Sequence, residues 1–196
     1  MSLPPERERL IAELRRARTL ARGARNRPAL AARRDRCYQS DMERFAIEVD
    51  DPQRDDVRAL LEQHLSFARG TTPPEDVHAL DLDGLLEPTI TLFSLRVDGE
   101  LLGVGAIKQL DLQHAEIKSM HTAAAARRRG VGRAIVDHLL AVAAARGVRR
   151  ISLETGAGEA FAPARALYAE AGFVPCGPFG EYEASPNSAF MTRAVR

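Results

Sequence analysis

The chain has 196 residues, 45% of them hydrophobic and 28% charged, the balance of a globular protein able to bury one core. No apolar run approaches the roughly 18 residues a membrane span needs, and Glu6, Glu8 and Glu13 interrupt the N-terminal arginines where a signal peptide would carry its apolar core, so a cytoplasmic protein is expected. Cys37 and Cys176 stand far apart without a CxxC or Cys/His cluster, which argues against a disulfide framework and against a metal site.

The net charge of +1 conceals an asymmetry. Residues 1–41 hold 11 of the 28 basic residues and 5 of the 27 acidic ones, so a strongly basic head precedes a mildly acidic body. Within the head Leu10, Ile11, Leu14, Ala17 and Ala21 recur at helical spacing until Gly23, Asn26, Arg27 and Pro28 break the pattern. A basic helix can bind nucleic acid, but this one lacks interleaved aromatics and any nucleic-acid motif, and a solvated helical extension is the favoured reading.

Phe45, Ile47 and Val49 alternate with more polar residues before Asp51-Pro52, which predicts a first strand. Val57, Leu60, Leu61, His64, Leu65 and Ala68 mark an amphipathic helix stopped by Gly70. A loop with a short helix is expected over Thr71 to Leu86. Two β-rich stretches, Thr89 to Val97 and Glu100 to Leu110, flank the hairpin signal Asp98-Gly99, and His114 to Thr122 supplies a further strand. The pattern then becomes helix (about 130–146), strand (149–155), helix (about 161–171) and strand (173–176), with Gly147 and Gly172 as helix stops. After a Gly/Pro-rich loop from Gly177 to Asn187, Ala189 to Val195 reads as the last strand. An antiparallel first half followed by β-α-β-α-β predicts an α/β fold with a mixed sheet.

One turn stands out chemically. Arg127-Arg128-Arg129-Gly130-Val131-Gly132-Arg133 joins a strand to a helix start, where glycines let main-chain N–H groups approach an anion and the helix end and arginines add positive charge. A pyrophosphate is the expected guest. The turn has neither the Lys-Ser/Thr ending of an ATP-binding loop nor the third spaced glycine of a dinucleotide fingerprint.

Arg127-x-x-Gly130-x-Gly132, following the strand Ala115 to His121, resembles the Gln/Arg-x-x-Gly-x-Gly/Ala motif of the GNAT superfamily of N-acetyltransferases. Ala166 to Phe173 resembles its second signature, a helix ending in Gly-Phe. Leu153 to Gly156, Phe161 to Tyr168, Cys176 to Phe179 and Pro186 to Ser188 further resemble the bacterial YsnE-like subgroup. The likeness spans Phe45 to the C-terminus, so an acetyltransferase domain over 42–196 is expected after a helical extension over 1–41.

The resemblance implies the GNAT fold, a mostly antiparallel mixed sheet flanked by helices in which two central strands, here those containing Met120 to Thr122 and Ile151 to Thr155, splay apart to admit acetyl-coenzyme A. It implies that the amides of Arg128, Arg129, Gly130, Val131, Gly132 and Arg133, with Arg127 beside them, hold the pyrophosphate. The backbone of Met120, His121 and Thr122 would hold the pantetheine arm. Tyr168 is then the expected acid for the departing thiolate, and its ordinary pKa of about 10 keeps it protonated. Glu116 is the first candidate for the base that deprotonates the amine acceptor, His121 the second and Glu154 the third, with substrate positioning as the other role for Glu154. Phe179 and Tyr182, in a loop with Glu181 and Glu183, suit the binding of a cationic amine. Cys176 has no identifiable base beside it and reads as structural. Dimers are common in the superfamily, so a homodimer is an option; no membrane partner is expected. A non-catalytic acyl-coenzyme A sensor on the same fold is the alternative.

Overall fold

A computed structural model describes residues 45–195, and the extension expected over residues 1–41 lies outside them. The elements in chain order are β1 (Ala46–Val49), α1 (Asp55–Thr71), a 3-10 turn (Pro74–Asp76), α2 (Leu82–Leu85), β2 (Ile90–Val97), β3 (Glu100–Gln109), β4 (His114–Thr122) and a second 3-10 turn (Ala124–Ala126). They continue with α3 (Val131–Ala145), β5 (Arg150–Gly156), a third 3-10 turn (Glu159–Phe161), α4 (Ala162–Glu170), β6 (Val174–Pro175) and β7 (Ser188–Ala194). The strands form one sheet in the order β1-β2-β3-β4-β5-β7-β6. Every pairing is antiparallel except β4 with β5.

Local chemistry sets the joints. Asp98 and Gly99 both have positive φ, 50° and 87°, the backbone hand that matches the twist of the β2–β3 hairpin. Gly147 and Gly172 follow α3 and α4 at φ 74° and 84°. The amides just beyond them turn back, Val148 N to Ala143 O and Phe173 N to Tyr168 O, both at 3.0 Å. Gly70 does not stop α1 as its type suggested. The helix runs through it to Thr71, whose hydroxyl donates to Phe67 O at 2.6 Å.

Helices cover both faces of the sheet. Ile135, Leu139, Val142 and Ala143 of α3 pack with Phe93, Ile107, Ile117, Ile151 and Leu153 in one cluster. Val57, Leu60 and Leu61 of α1 pack with Leu85, Leu92, Val104 and Ala106 on the other face. Each such fully buried Leu or Ile contributes about 1.5–3 kcal/mol relative to an exposed one. The N-terminus of α1 is tied to the sheet by Arg96 of β2, whose guanidinium donates to Asp50 at 3.0 Å and to Asp56 at 2.6 Å. The opposing face of β3 carries Gly103 and Gly105, because α3 lies close against it: a Cβ on Gly105 would sit 2.6 Å from Ile135 Cγ2.

Candidate active site

The site begins where β4 and β5 part. They pair from His114↔Arg150 to Ile117↔Leu153 and no further, although β4 continues to Thr122 and β5 to Gly156. A bulge drives them apart. Between Val104↔His121 and Ala106↔Lys118, β3 spends one residue, Gly105, where β4 spends two, Ser119 and Met120. Ser119 takes φ 51° to accommodate the extra residue. Gly105 is needed opposite the bulge, because a Cβ there would lie 2.6 Å from Met120 Sδ.

The closed end of the fork is stitched by a polar chain. Arg150 Nη2 donates to His114 Nδ1 at 3.0 Å, which assigns the imidazole proton to Nε2. Nε2–H then donates to Ser152 Oγ at 2.8 Å, and Ser152 joins Thr192 Oγ1 at 2.9 Å, so β4, β5 and β7 are linked beneath the fork. Burial, and then the Arg150 charge, lower the His114 pKa and favour the neutral ring this chain requires.

The open end widens into a cleft of about 800 Å³. The glycine turn forms one end of it. Arg128 has φ 61° and Gly130 φ 81°, and α3 starts at Val131 with no side chain capping it. The first intrahelical bond that closes on the turn is Ala134 N to Gly130 O at 2.9 Å, so the amides of Val131, Gly132 and Arg133, all three of which line the cleft, lack helical partners. A Cβ on Gly132 would meet Leu167 Cδ2 at 3.1 Å and Thr122 Oγ1 at 3.6 Å, so that position cannot carry a side chain into the opening without displacing Leu167. Arg133 holds Asp137 through Nε at 3.0 Å to both carboxylate oxygens, which commits its guanidinium. Of the ten residues expected to hold the coenzyme, all except Arg129 line the cleft.

The other end is built from charge and aromatic rings. Glu116 is buried, and its Oε1 accepts from Tyr182 Oη at 2.5 Å and from Lys118 Nζ at 3.2 Å. Lys118 Nζ also donates to Tyr182 Oη at 2.6 Å, closing a triangle. Tyr182 thus contributes by holding Glu116 rather than by lining the cleft. Phe179 is not at the cleft wall either; its ring packs on Tyr182, Phe190 and His114 at 5.2, 6.0 and 5.5 Å. Glu154 and Tyr168 both line the cleft. Burial pushes the Glu154 pKa up, and the neighbouring Ser188 hydroxyl, then Lys118, only partly offset that. Burial, and then the Glu154 charge, push the buried Tyr168 phenol up as well. His121 stands at the tip of β4, where burial and then Arg127 lower its pKa, and its ring meets that of His64 at 5.4 Å.

Three cleft residues were not singled out for function in the sequence. His64 reads as a core position of an amphipathic helix, yet it faces the fork, and burial, then His121 and Lys118, push its pKa down to about 4. His78 sits on the Tyr182 ring at 4.9 Å. Phe161 turns inward at the start of α4. His64 and Phe161 fall in segments the sequence marks for fold rather than chemistry, and the topology brings all three to the cleft.

The sequence profile of the Acetyltransferase (GNAT) family matches residues 54–173, from α1 through the Gly-Phe that ends α4. The chain belongs to the GNAT acetyltransferase family. It is 45% identical over 149 residues to the N-acetyltransferase YsnE of Bacillus subtilis, covering 76% of this chain and 99% of that one. It is 43% identical to the N-acetyltransferase YedL of Escherichia coli over 76% of this chain and 93% of that one. Among solved GNAT-type structures, an acyl-CoA N-acyltransferase from Klebsiella pneumoniae superposes with a TM-score of 0.66 at 27% identity, over 78% of this chain and 98% of that one. The GNAT frame therefore accounts for the described sheet, with the β4–β5 fork at its centre. No described helix is long and apolar enough to cross a membrane, and among the described residues no group of three or more His, Cys, Asp and Glu side chains is placed to hold a metal.

Proposed function

We propose that this GNAT protein transfers the acetyl group of acetyl-coenzyme A directly to a primary amine of a small molecule or peptide. The observation that carries the reading is the fork itself: a helix start without a side-chain cap and the half-buried carboxylate of Glu154 with the buried phenol of Tyr168, all on one cleft. The amides of Arg128 to Arg133 suit a diphosphate, and the main chain of β4 from Met120 to Thr122, unpaired on the side facing β5, suits the amide groups of a pantetheine arm. Bound there, acetyl-coenzyme A would supply an activated thioester.

The chain's own groups then have separate tasks. An amine must lose a proton to become a nucleophile, and we assign Glu154 to receive it. Glu116 is already engaged by Lys118 and Tyr182, and we assign it to ordering that wall. Among the described residues Glu154 has no such ion pair, and its raised pKa moves it toward the range useful for a base at neutral pH. As the new C–N bond forms and the C–S bond breaks, Tyr168 gives its phenolic proton to the departing sulfur. The products are the N-acetylated amine and the free thiol; the second proton that the nitrogen sheds on becoming an amide returns to the Tyr168 phenolate through solvent, and the proton held by Glu154 is released to bulk water.

The test is thiol release from acetyl-coenzyme A with a panel of amines, for the natural chain and for Tyr168→Phe. Turnover should fall by about 10²-fold or more in Tyr168→Phe while calorimetric affinity for acetyl-coenzyme A is kept. Coenzyme binding without thiol release for any amine would instead favour the sensor reading.

A further inference from the structure

The wall of the cleft nearest Glu154 contains a fixed aromatic corner that the acetyl-transfer chemistry does not use. Phe161 lies flat on Gly156: a Cβ there would be 2.3 Å from its Cδ2 and 2.4 Å from its Cε2, so only glycine allows the ring this seat. Arg165 fixes the surrounding turn, its Nη1 donating to Gly156 O at 2.6 Å and Gly158 O at 2.8 Å. Phe67 of α1 meets Phe161 edge to face at 5.2 Å and is still 37% exposed. Both rings line the cleft, with Ala68, Val77 and Ala160 beside them.

The strand sets the distance from this corner to the carboxylate. Glu154 and Gly156 are two residues apart on β5, so they face the same side of the sheet and are separated by roughly 7 Å. The helix repeats that spacing: His64 and Phe67, three residues apart on α1, share one face, with His64 against His121 of β4 and Phe67 against the β5 side. The acidic point and the aromatic corner therefore belong to one pocket.

We propose that the acceptor is an amine joined by a short alkyl link to a flat, apolar or aromatic group, and that Phe67 and Phe161 select it by stacking on that group. The inference rests on the transferase reading and adds the class of acceptor. A polyamine or a basic peptide would leave the two rings facing charge and water. A flat group covers them while its amine reaches Glu154.

Calorimetric titration of 2-phenylethylamine and of 1,4-diaminobutane into the protein saturated with coenzyme A tests the selection without requiring turnover, and thiol release with acetyl-coenzyme A is followed in parallel. The natural chain should bind 2-phenylethylamine about tenfold or more tightly than the diamine. Phe161→Ala should remove most of that preference without weakening coenzyme A. Phe67→Leu, which keeps apolar volume and removes the flat ring, should reduce it in the same direction, and serves if Phe161→Ala melts too low to study. Equal binding of the two amines, preference for the diamine, or a loss of coenzyme A affinity as the main effect of both variants would overturn the proposal. Selective amine binding with no thiol release would leave the aromatic selection standing and sink the transferase reading instead.

Discussion

Tyr182→Phe removes the one hydroxyl that holds Glu116 and Lys118 of the cleft wall from behind. The phenylalanine ring keeps the contacts of the tyrosine ring with His78, Phe179 and Phe190, whose centroids lie at 4.9, 5.2 and 5.5 Å. What disappears is a donor at 2.5 Å from the carboxylate of Glu116, a residue only 3% exposed, and an acceptor for Lys118. A hydrogen bond to a charged group is worth about 1.5–3 kcal/mol. For a domain of this size each kcal/mol moves Tm by about 2–4 °C, so the variant should melt roughly 3–12 °C lower at pH 7 by calorimetry. The loss should shrink in a Glu116→Gln background, because a neutral amide accepts a weaker bond, and the double-mutant cycle should show coupling of about 1 kcal/mol or more. A Tm within about 1 °C of the natural chain, or the same loss in both backgrounds, would refute the account of this wall.

Gly130→Ala forces a side chain onto φ 81°, so stability should fall by about 1–2 kcal/mol in denaturant titration, together with a weaker acetyl-coenzyme A affinity. Glu154→Gln should lower turnover by about 10²- to 10⁴-fold. Because burial raises the Glu154 pKa, the acid limb of kcat/KM in the natural chain should lie above the ordinary carboxylate range, activity falling as pH drops through it, and the limb should vanish in the variant. His64 has a folded pKa of about 4, below its ordinary 6.5. Its neutral form therefore supports the fold fully above pH 6.5, and that support is lost as pH falls toward 4. Melting curves across this window should be flatter for His64→Gln than for the natural chain.

Local signals in the sequence reached far into the fold. Asp98-Gly99, Gly147 and Gly172 each mark a turn or helix stop, and the structure shows positive φ at all of them. Boundaries moved where side chains decide them, as at Thr71, whose hydroxyl carries α1 past Gly70. The end of the cleft we assign to the coenzyme stood out in the sequence because its residues are contiguous in a glycine-marked turn. The end we assign to the acceptor did not, because it is assembled from α1, the loop after it, β4, the start of α4 and the loop before β7. No spacing rule links Glu116 to Tyr182, 66 residues later, or Phe67 to Phe161. The bulge at Ser119 was equally hidden, since its requirement for Gly105 arises across the sheet and not along the chain.

Amide chemical shifts followed by NMR during a titration with acetyl-coenzyme A test the use of the fork most directly. Saturable shifts concentrated at Arg128 to Arg133 and at Met120 to Thr122 are predicted, with the closed end of the fork around His114 and Ser152 little changed. A saturable response elsewhere that leaves the glycine turn unmoved, or no response at all, would contradict the account.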